Sequence, residues 1–301
     1  MTYTALLLIL FSTLVHATWN MFSRKLRISS SSFSIGGLAL CLCLLPVIVI
    51  YQQFLPNVSL HSLAIILLSS AFQSIYYFGL ANAYQHGNLS IAYPLVRSIP
   101  IILVLIYVFL FDNIESISNQ AIGSAVVIVI GCILLPMQHL KDLQFSNYAN
   151  KMGFFVLVAA LGTAGYSIID SIGMRRLVTS SPDTNPFAVS FCYIYLQVFF
   201  TSILLGLISI SSVHKRREFV KVLKEQKRIS AAICGMSMLA YAPILVAMTL
   251  VTNVAYVVAL RQASIPIAFL LGLMLLREAS YPIRWIAISL IIAGLIVNAL
   301  Y

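Results

Sequence analysis

Apolar residues in this chain neither alternate strictly with polar ones nor recur as a narrow stripe. They come in long, nearly unbroken runs. Ten such runs are marked out, at 3–22, 33–51, 62–85, 89–110, 117–136, 152–174, 187–212, 230–250, 253–276 and 281–300. Each is close to the roughly 20 helical residues needed to cross ~30 Å of hydrocarbon. A membrane β-barrel would show alternation in segments of about ten residues. A helix, by contrast, satisfies its backbone polar groups within the segment. The pattern therefore predicts an all-α polytopic membrane protein with ten transmembrane helices. Two connections are narrow, at His86-Gly87-Asn88 and Val251-Thr252-Asn253. Two polar stretches are longer. Residues 137–151 link the halves of the chain, and residues 213–229 carry seven Lys or Arg. The second stretch predicts a basic amphipathic helix on anionic headgroups, or a plain topology anchor.

Composition agrees. Of 301 residues, 61% are apolar and 9% charged, against about 25% charged in an ordinary soluble domain. That excludes a water-soluble globular enzyme. The net charge of +10, from 18 Lys+Arg against 8 Asp+Glu, would suggest nucleic acid in a soluble chain. Here it sorts by side, and no nucleic-acid partner is expected. Segments following runs 1, 3, 5, 7 and 9 hold 3, 0, 2, 7 and 2 basic residues, the last two being Arg277 and, in the first turn of run 10, Arg284, whereas the opposite side holds only Arg175 and Arg176. The positive-inside rule then places both termini outside the cytoplasmic (inner) membrane. The five cysteines (Cys41, Cys43, Cys132, Cys192 and Cys234) lie in or beside apolar runs and read as free thiols. Nothing basic precedes the first run and no Ala-x-Ala site follows it, so it reads as a span rather than a signal peptide.

The chain repeats itself. Glu115 and Gly131 recur as Glu278 and Gly294, and Ala92-Tyr93 recurs as Ala255-Tyr256, all at an offset of 163. Ser98-Ile99-Pro100-Ile101 recurs as Ser264-Ile265-Pro266-Ile267 at an offset of 166, so a three-residue shift lies between. The marks predict two five-helix repeats, residues 1–136 and 152–301, joined by a linker at 137–151. Five is odd, so the second repeat enters the membrane inverted. Inverted repeats recur in secondary transporters, with substrate held near the midplane.

Three stretches carry a family likeness: His16-Ala17-Thr18-Trp19-Asn20, Ala92-Tyr93-Pro94-Leu95-Val96-Arg97, and Ala259-Leu260-Arg261-Gln262-Ala263-Ser264 followed by Glu278. In these the chain resembles the drug/metabolite transporter superfamily, in its ten-span form with two EamA-type halves. The resemblance implies a cavity lined by spans 1, 3, 4, 6, 8 and 9, alternating access, and no ATP; no Walker A sequence is present. It also implies both termini in the cytoplasm for many members, against the charge count. Small multidrug-resistance relatives carry a carboxylate in their first span, and this first span has none, which disfavours a cationic-drug antiporter.

Ionisable groups within spans cost about 2.5–3.5 kcal/mol each on insertion scales and so mark candidate sites. Arg97 and Arg261 occupy related positions in the two halves and stay charged. Facing one cavity, they suit a phosphate or carboxylate, which guanidinium forks bind bidentately; otherwise each snorkels or pairs internally. Asp170 carries a coupling proton, pairs with an arginine, or sits at an interface beside Arg175 and Arg176. His16 and Asn20 share one helix face and either donate to substrate or bond another helix. Gln262, next to Arg261, joins the candidate contacts. Trp19, Tyr76, Tyr77, Tyr93, Tyr166 and Tyr256 line the cavity, pack, or anchor at the interface. Ser264, Ala268 and Gly272 form a small-residue packing stripe.

The expected function is secondary transport of a small, anionic metabolite. Transport of a neutral or zwitterionic amino acid and translocation of a lipid-linked substrate are the alternatives. No catalytic residues, cofactor or metal site are expected: there is no His-Glu-x-x-His and no pair of membrane acids. The partners are the substrate and the bilayer, and the fused halves favour a monomer.

Overall fold

The computed structural model describes residues 2–26, 29–50, 58–86, 89–111, 118–139, 150–276 and 280–300. Its regular elements, among the described residues, are all helical: α1 (Tyr3–Leu26), α2 (Ser30–Ile50), α3 (Leu60–His86), α4 (Leu89–Phe111), α5 (Asn119–Leu134), α6 (Lys151–Ser180), α7 (Pro186–Ile210), α8 (Val213–Glu225), α9 (Lys227–Thr249), α10 (Val254–Leu260), a 3-10 turn (Arg261–Ala263), α11 (Ser264–Leu276) and α12 (Pro282–Leu300). Nine segments among these residues are long and apolar enough to cross a membrane, counting α10 to α11 as one. The sixteen-residue α5 is apolar but shorter.

Small polar residues set the boundaries. Ser118, Asn150, Asn185, Ser212 and Asn253 each accept a hydrogen bond from a backbone N–H in the first turn that follows. Each cap satisfies one orphan donor of a helix start. Pro186 stands at the first position of α7, where its missing N–H costs nothing.

The burial pattern inverts that of a soluble protein. Leu7, Leu42, Phe109, Leu161, Leu207 and Ile286 point outward, while Ser34, Ser69, Ser70, Asp170, Ser190 and Gln197 are fully buried. Lipid accepts the apolar exterior, and the polar groups find partners inside. The chain is a multi-pass membrane protein.

The two halves interlock. α3 packs on α6 and α1 on α9; α2 pairs with α7, and α5 with α12. The last pair is symmetric in detail. A Cβ added at Gly131 would meet the Ala287 carbonyl oxygen at 2.7 Å and Ile291 Cγ1 at 2.6 Å. One added at Gly294 would meet the Ser124 carbonyl oxygen at 2.8 Å and Ile128 Cγ1 at 2.7 Å. Ser124, Ile128 and Gly131 map onto Ala287, Ile291 and Gly294 at the repeat offset of 163, so each contact occurs twice. Contacts pair Ser124 with Gly294 and Gly131 with Ala287, so the helices run antiparallel. A two-fold relation between antiparallel helices is what an inverted repeat requires. The repeat marks Glu115 and Glu278 lie outside the described residues.

Three sequence expectations change. The ninth span is not one continuous helix over 253–276, because the 3-10 turn at Arg261–Ala263 interrupts it. Pro266 has no N–H to offer the Gln262 carbonyl and crowds it. The turn also accounts for the repeat's three-residue shift, which falls between Tyr256 and Ser264. The sixth span does not stop at 174, since α6 continues to Ser180. Arg175 ends no helix there; its Nη2 donates to the carbonyl oxygens of Val251 and Thr252, at 2.6 and 3.1 Å, beyond the end of α9. Asp170 is therefore ten residues, or about 15 Å, from the helix end, and not interfacial.

Candidate functional site

The break in the ninth span presents backbone where a regular helix would hide it. The Arg261 carbonyl oxygen accepts a hydrogen bond from Arg97 Nη2 at 3.2 Å and another from Ser264 Oγ at 2.9 Å. Arg97 Nη2 also donates to Ser264 Oγ at 2.8 Å. The two sequence-predicted arginines thus meet, each 6% exposed, on α4 and the 3-10 turn. Neither makes an ion pair among the described residues, and Arg97 Nε has no hydrogen-bond partner there. The Arg97 guanidinium bonds the Arg261 backbone, while the Arg261 guanidinium turns to the Tyr241 ring and the Tyr166 hydroxyl, and neither has a directly bonded carboxylate among the described residues.

Aromatic rings stand beside this turn. The Arg261 guanidinium lies over the Tyr241 ring, 5.3 Å from its centroid. Tyr241 packs edge-on against Tyr166 at 5.6 Å, and Tyr166 against Tyr76 at 5.8 Å. Tyr77 follows Tyr76 at 5.0 Å and stacks on Phe33 at 4.1 Å. The row crosses α9, α6, α3 and α2.

The remaining candidates divide. His16 is buried within electrostatic range of both arginines. Its Nδ1 accepts from Trp19 Nε1 at 3.2 Å, which leaves Nε2 buried without a partner among the described residues. The geometry fixes the proton on Nε2, because Nδ1 is an acceptor. Asn20 Nδ2 donates to the His16 carbonyl oxygen at 2.8 Å, so this amide N–H is turned to its own helix and, among the described residues, bonds no neighbouring one. Trp19 is 1% exposed in an apolar cluster with Phe33, Leu205 and Ile233. Gln262 Nε2 donates to the Val258 carbonyl oxygen, and Oε1 is left buried and unpartnered. Tyr256 is engaged by the start of α5, its hydroxyl accepting from the Ser118 backbone N–H at 3.3 Å. The Tyr93 side chain lies outside the described residues.

Asp170 is 0% exposed and pairs with no arginine. Ser69, Tyr193 and Gln197 donate to Oδ1, Tyr241 and Gln197 to Oδ2. Gln197 Nε2 also donates to Ser69 Oγ at 2.7 Å. The Arg–Asp pairing, one of the alternatives for Asp170, is not made among the described residues, where a phenol stands between: Tyr241 carries Arg261 on its ring and Asp170 on its hydroxyl. Tyr193, Tyr241, Ser69 and Gln197 do not stand out in a sequence, being neutral. Spacing is the signal that could have found two of the helix faces. Ser69, Gln73 and Tyr77 on α3, and Tyr193, Gln197 and Thr201 on α7, each recur every fourth residue and so share a face.

Residues 3–137, the stretch from α1 through α5, match the EamA-like transporter family. A solved crystal structure superposes on the whole chain with a TM-score of 0.68 at 18% identity, covering 100% of this chain and 98% of that one. That likeness shows a shared fold. No curated protein matches the chain.

Proposed function

We propose that the chain, whose residues 3–137 match the EamA-like transporter family, is a secondary active transporter of a small anionic metabolite across the cytoplasmic membrane. The family match supports a membrane transporter of small molecules; the anion comes from the site. The observation that carries the reading is the juxtaposition of Arg97 and Arg261, both buried and neither ion-paired among the described residues. Uncompensated buried charge is costly, and an anion bound between the guanidiniums offsets that cost. Arg97 Nε and His16 Nε2 add two unspent donors beside them. The broken helix at Arg261–Ala263 matches the general transporter device of an interrupted span at the substrate site. Rocking of the two repeats about this point, without ATP, would expose it to either side.

Charge-neutral Arg97→Gln and Arg261→Gln are the test. In proteoliposomes, each is expected to lower uptake of phosphorylated or carboxylated solutes by tenfold or more. Unchanged uptake in both variants sinks the anion site.

A second reading is a zwitterionic amino acid. The row of Tyr76, Tyr166 and Tyr241 favours it, since ring faces suit an ammonium group. Competition by neutral amino acids, but not by phosphorylated solutes, selects this reading.

A further inference from the structure

Asp170 anchors a second buried site that the anion reading does not use. Its carboxylate oxygens accept from Ser69 of α3, Tyr193 and Gln197 of α7, and Tyr241 of α9. Tyr166 of its own helix packs against Tyr241, and Arg261 lies behind that ring. Among the described residues, α4 and α10 bring no titratable group into hydrogen-bonding contact with it. Every one of these partners can reverse. Hydroxyls rotate to accept, and a flipped Gln197 amide would place Oε1 where Nε2 now stands, 3.0 and 3.1 Å from the carboxylate oxygens. The shell can hold the carboxylate or its protonated form.

A chamber adjoins this shell. Between α2, α3, α7 and α9 lies a cavity of about 30 Å³, with Gln73, Tyr77, Gln197, Thr201, Ser237 and Tyr241 in its walls. That space holds one or two waters. Gln73 Oε1 and Gln197 Oε1 are buried and lack partners among the described residues, and chamber water supplies the donor each needs. Two wall residues, Gln197 and Tyr241, are themselves bonded to Asp170. The chamber's far end is walled by Phe33, Gly37, Ser202 and Cys234, on the halves of α2, α7 and α9 nearest the basic helix α8. α8 packs against these same three helices.

We propose that Asp170 is a protonatable coupling site, reached by water from the α8 end of the molecule through this chamber. The proton arrives from bulk water along the chamber water, which passes one proton on as it receives another. Protonation removes a negative charge one phenol ring from Arg261, so the charge of Arg97, Arg261 and Asp170 together rises from +1 to +2. Over roughly 10 Å at an effective dielectric of about 20, anion binding strengthens about tenfold. Proton and anion then travel together. The coupling rests on the transporter reading; the protonation does not.

Infrared difference spectroscopy on the protein in liposomes tests it without a substrate. Acidification from about pH 8 to about pH 4, where carboxyl groups titrate, is expected to raise a protonated-carboxyl band that is missing in Asp170→Asn. Since an amide facing so many donors threatens folding, two further variants carry the test. Tyr241→Phe removes one partner and shifts the band's frequency. Ser237→Leu fills the chamber and slows the band's exchange in D2O severalfold. No band assignable to Asp170, or a band unmoved by Tyr241→Phe with exchange unchanged in Ser237→Leu, overturns the proposal. Failure of the anion reading looks different: uptake insensitive to both arginine variants, with the Asp170 band intact.

Discussion

A guanidinium keeps its charge at any physiological pH, so burying one creates a standing demand for negative charge or for hydrogen-bond acceptors. Arg97 and Arg261 meet that demand partly, through a carbonyl, a serine hydroxyl and a tyrosine face. The glutamine variants are informative because they separate charge from shape: an amide at 97 keeps a donor for the turn while losing the cation. This pair was legible in the sequence because a basic residue in an apolar run is conspicuous. Asp170 was conspicuous for the same reason, but its surroundings were not. Gln73, Gln197 and Tyr241 are neutral, and only their placement on facing helices makes them a site. His16 and Asn20 do share a face, yet the Asn20 amide bonds its own helix. Periodicity tells which face a side chain occupies and not where its donors point.

At the scale of elements, nearly every helix follows from runs of apolar residues, and α8 from the basic stretch between two of them. The interruption at Arg261–Ala263 did not. Pro266 and the repeat's three-residue shift were its only signs, and the corresponding Pro100 lies inside an unbroken α4. What distinguishes the two is the inserted turn, visible as that shift, and the Arg97 contact that braces it, which is tertiary. The α5–α12 seam allows a direct check of the repeat. Gly131→Val and Gly294→Val each push a side chain into the facing backbone, at contacts of 2.6–2.8 Å. Each is expected to cost about 1–3 kcal/mol, read as a lower midpoint of thermal unfolding in detergent. The two losses should be alike, because the contacts are related by the repeat. A large loss in one variant with none in the other contradicts the symmetry.

For the whole molecule, orientation follows from charge. By the count of Lys and Arg along the sequence, the segments after runs 1, 3, 5, 7 and 9 are expected on one membrane face, which the positive-inside rule assigns to the cytoplasm. A reporter fused after Tyr301 that is active only in the cytoplasm should stay silent; activity there would reverse the topology and place the Asp170 chamber's mouth outside. The central claim, however, is that the bundle holds an anion between its two repeats. It is tested most directly by thermal unfolding of the purified protein against phosphorylated, carboxylated, neutral and cationic metabolites. A ligand that binds only the folded state raises stability by about 2.7 kcal/mol at a hundred times its Kd. The account predicts a rise confined to phosphorylated or carboxylated compounds and lost in the Arg97→Gln/Arg261→Gln double variant. A rise confined to cations, or one that persists in that variant, would contradict it.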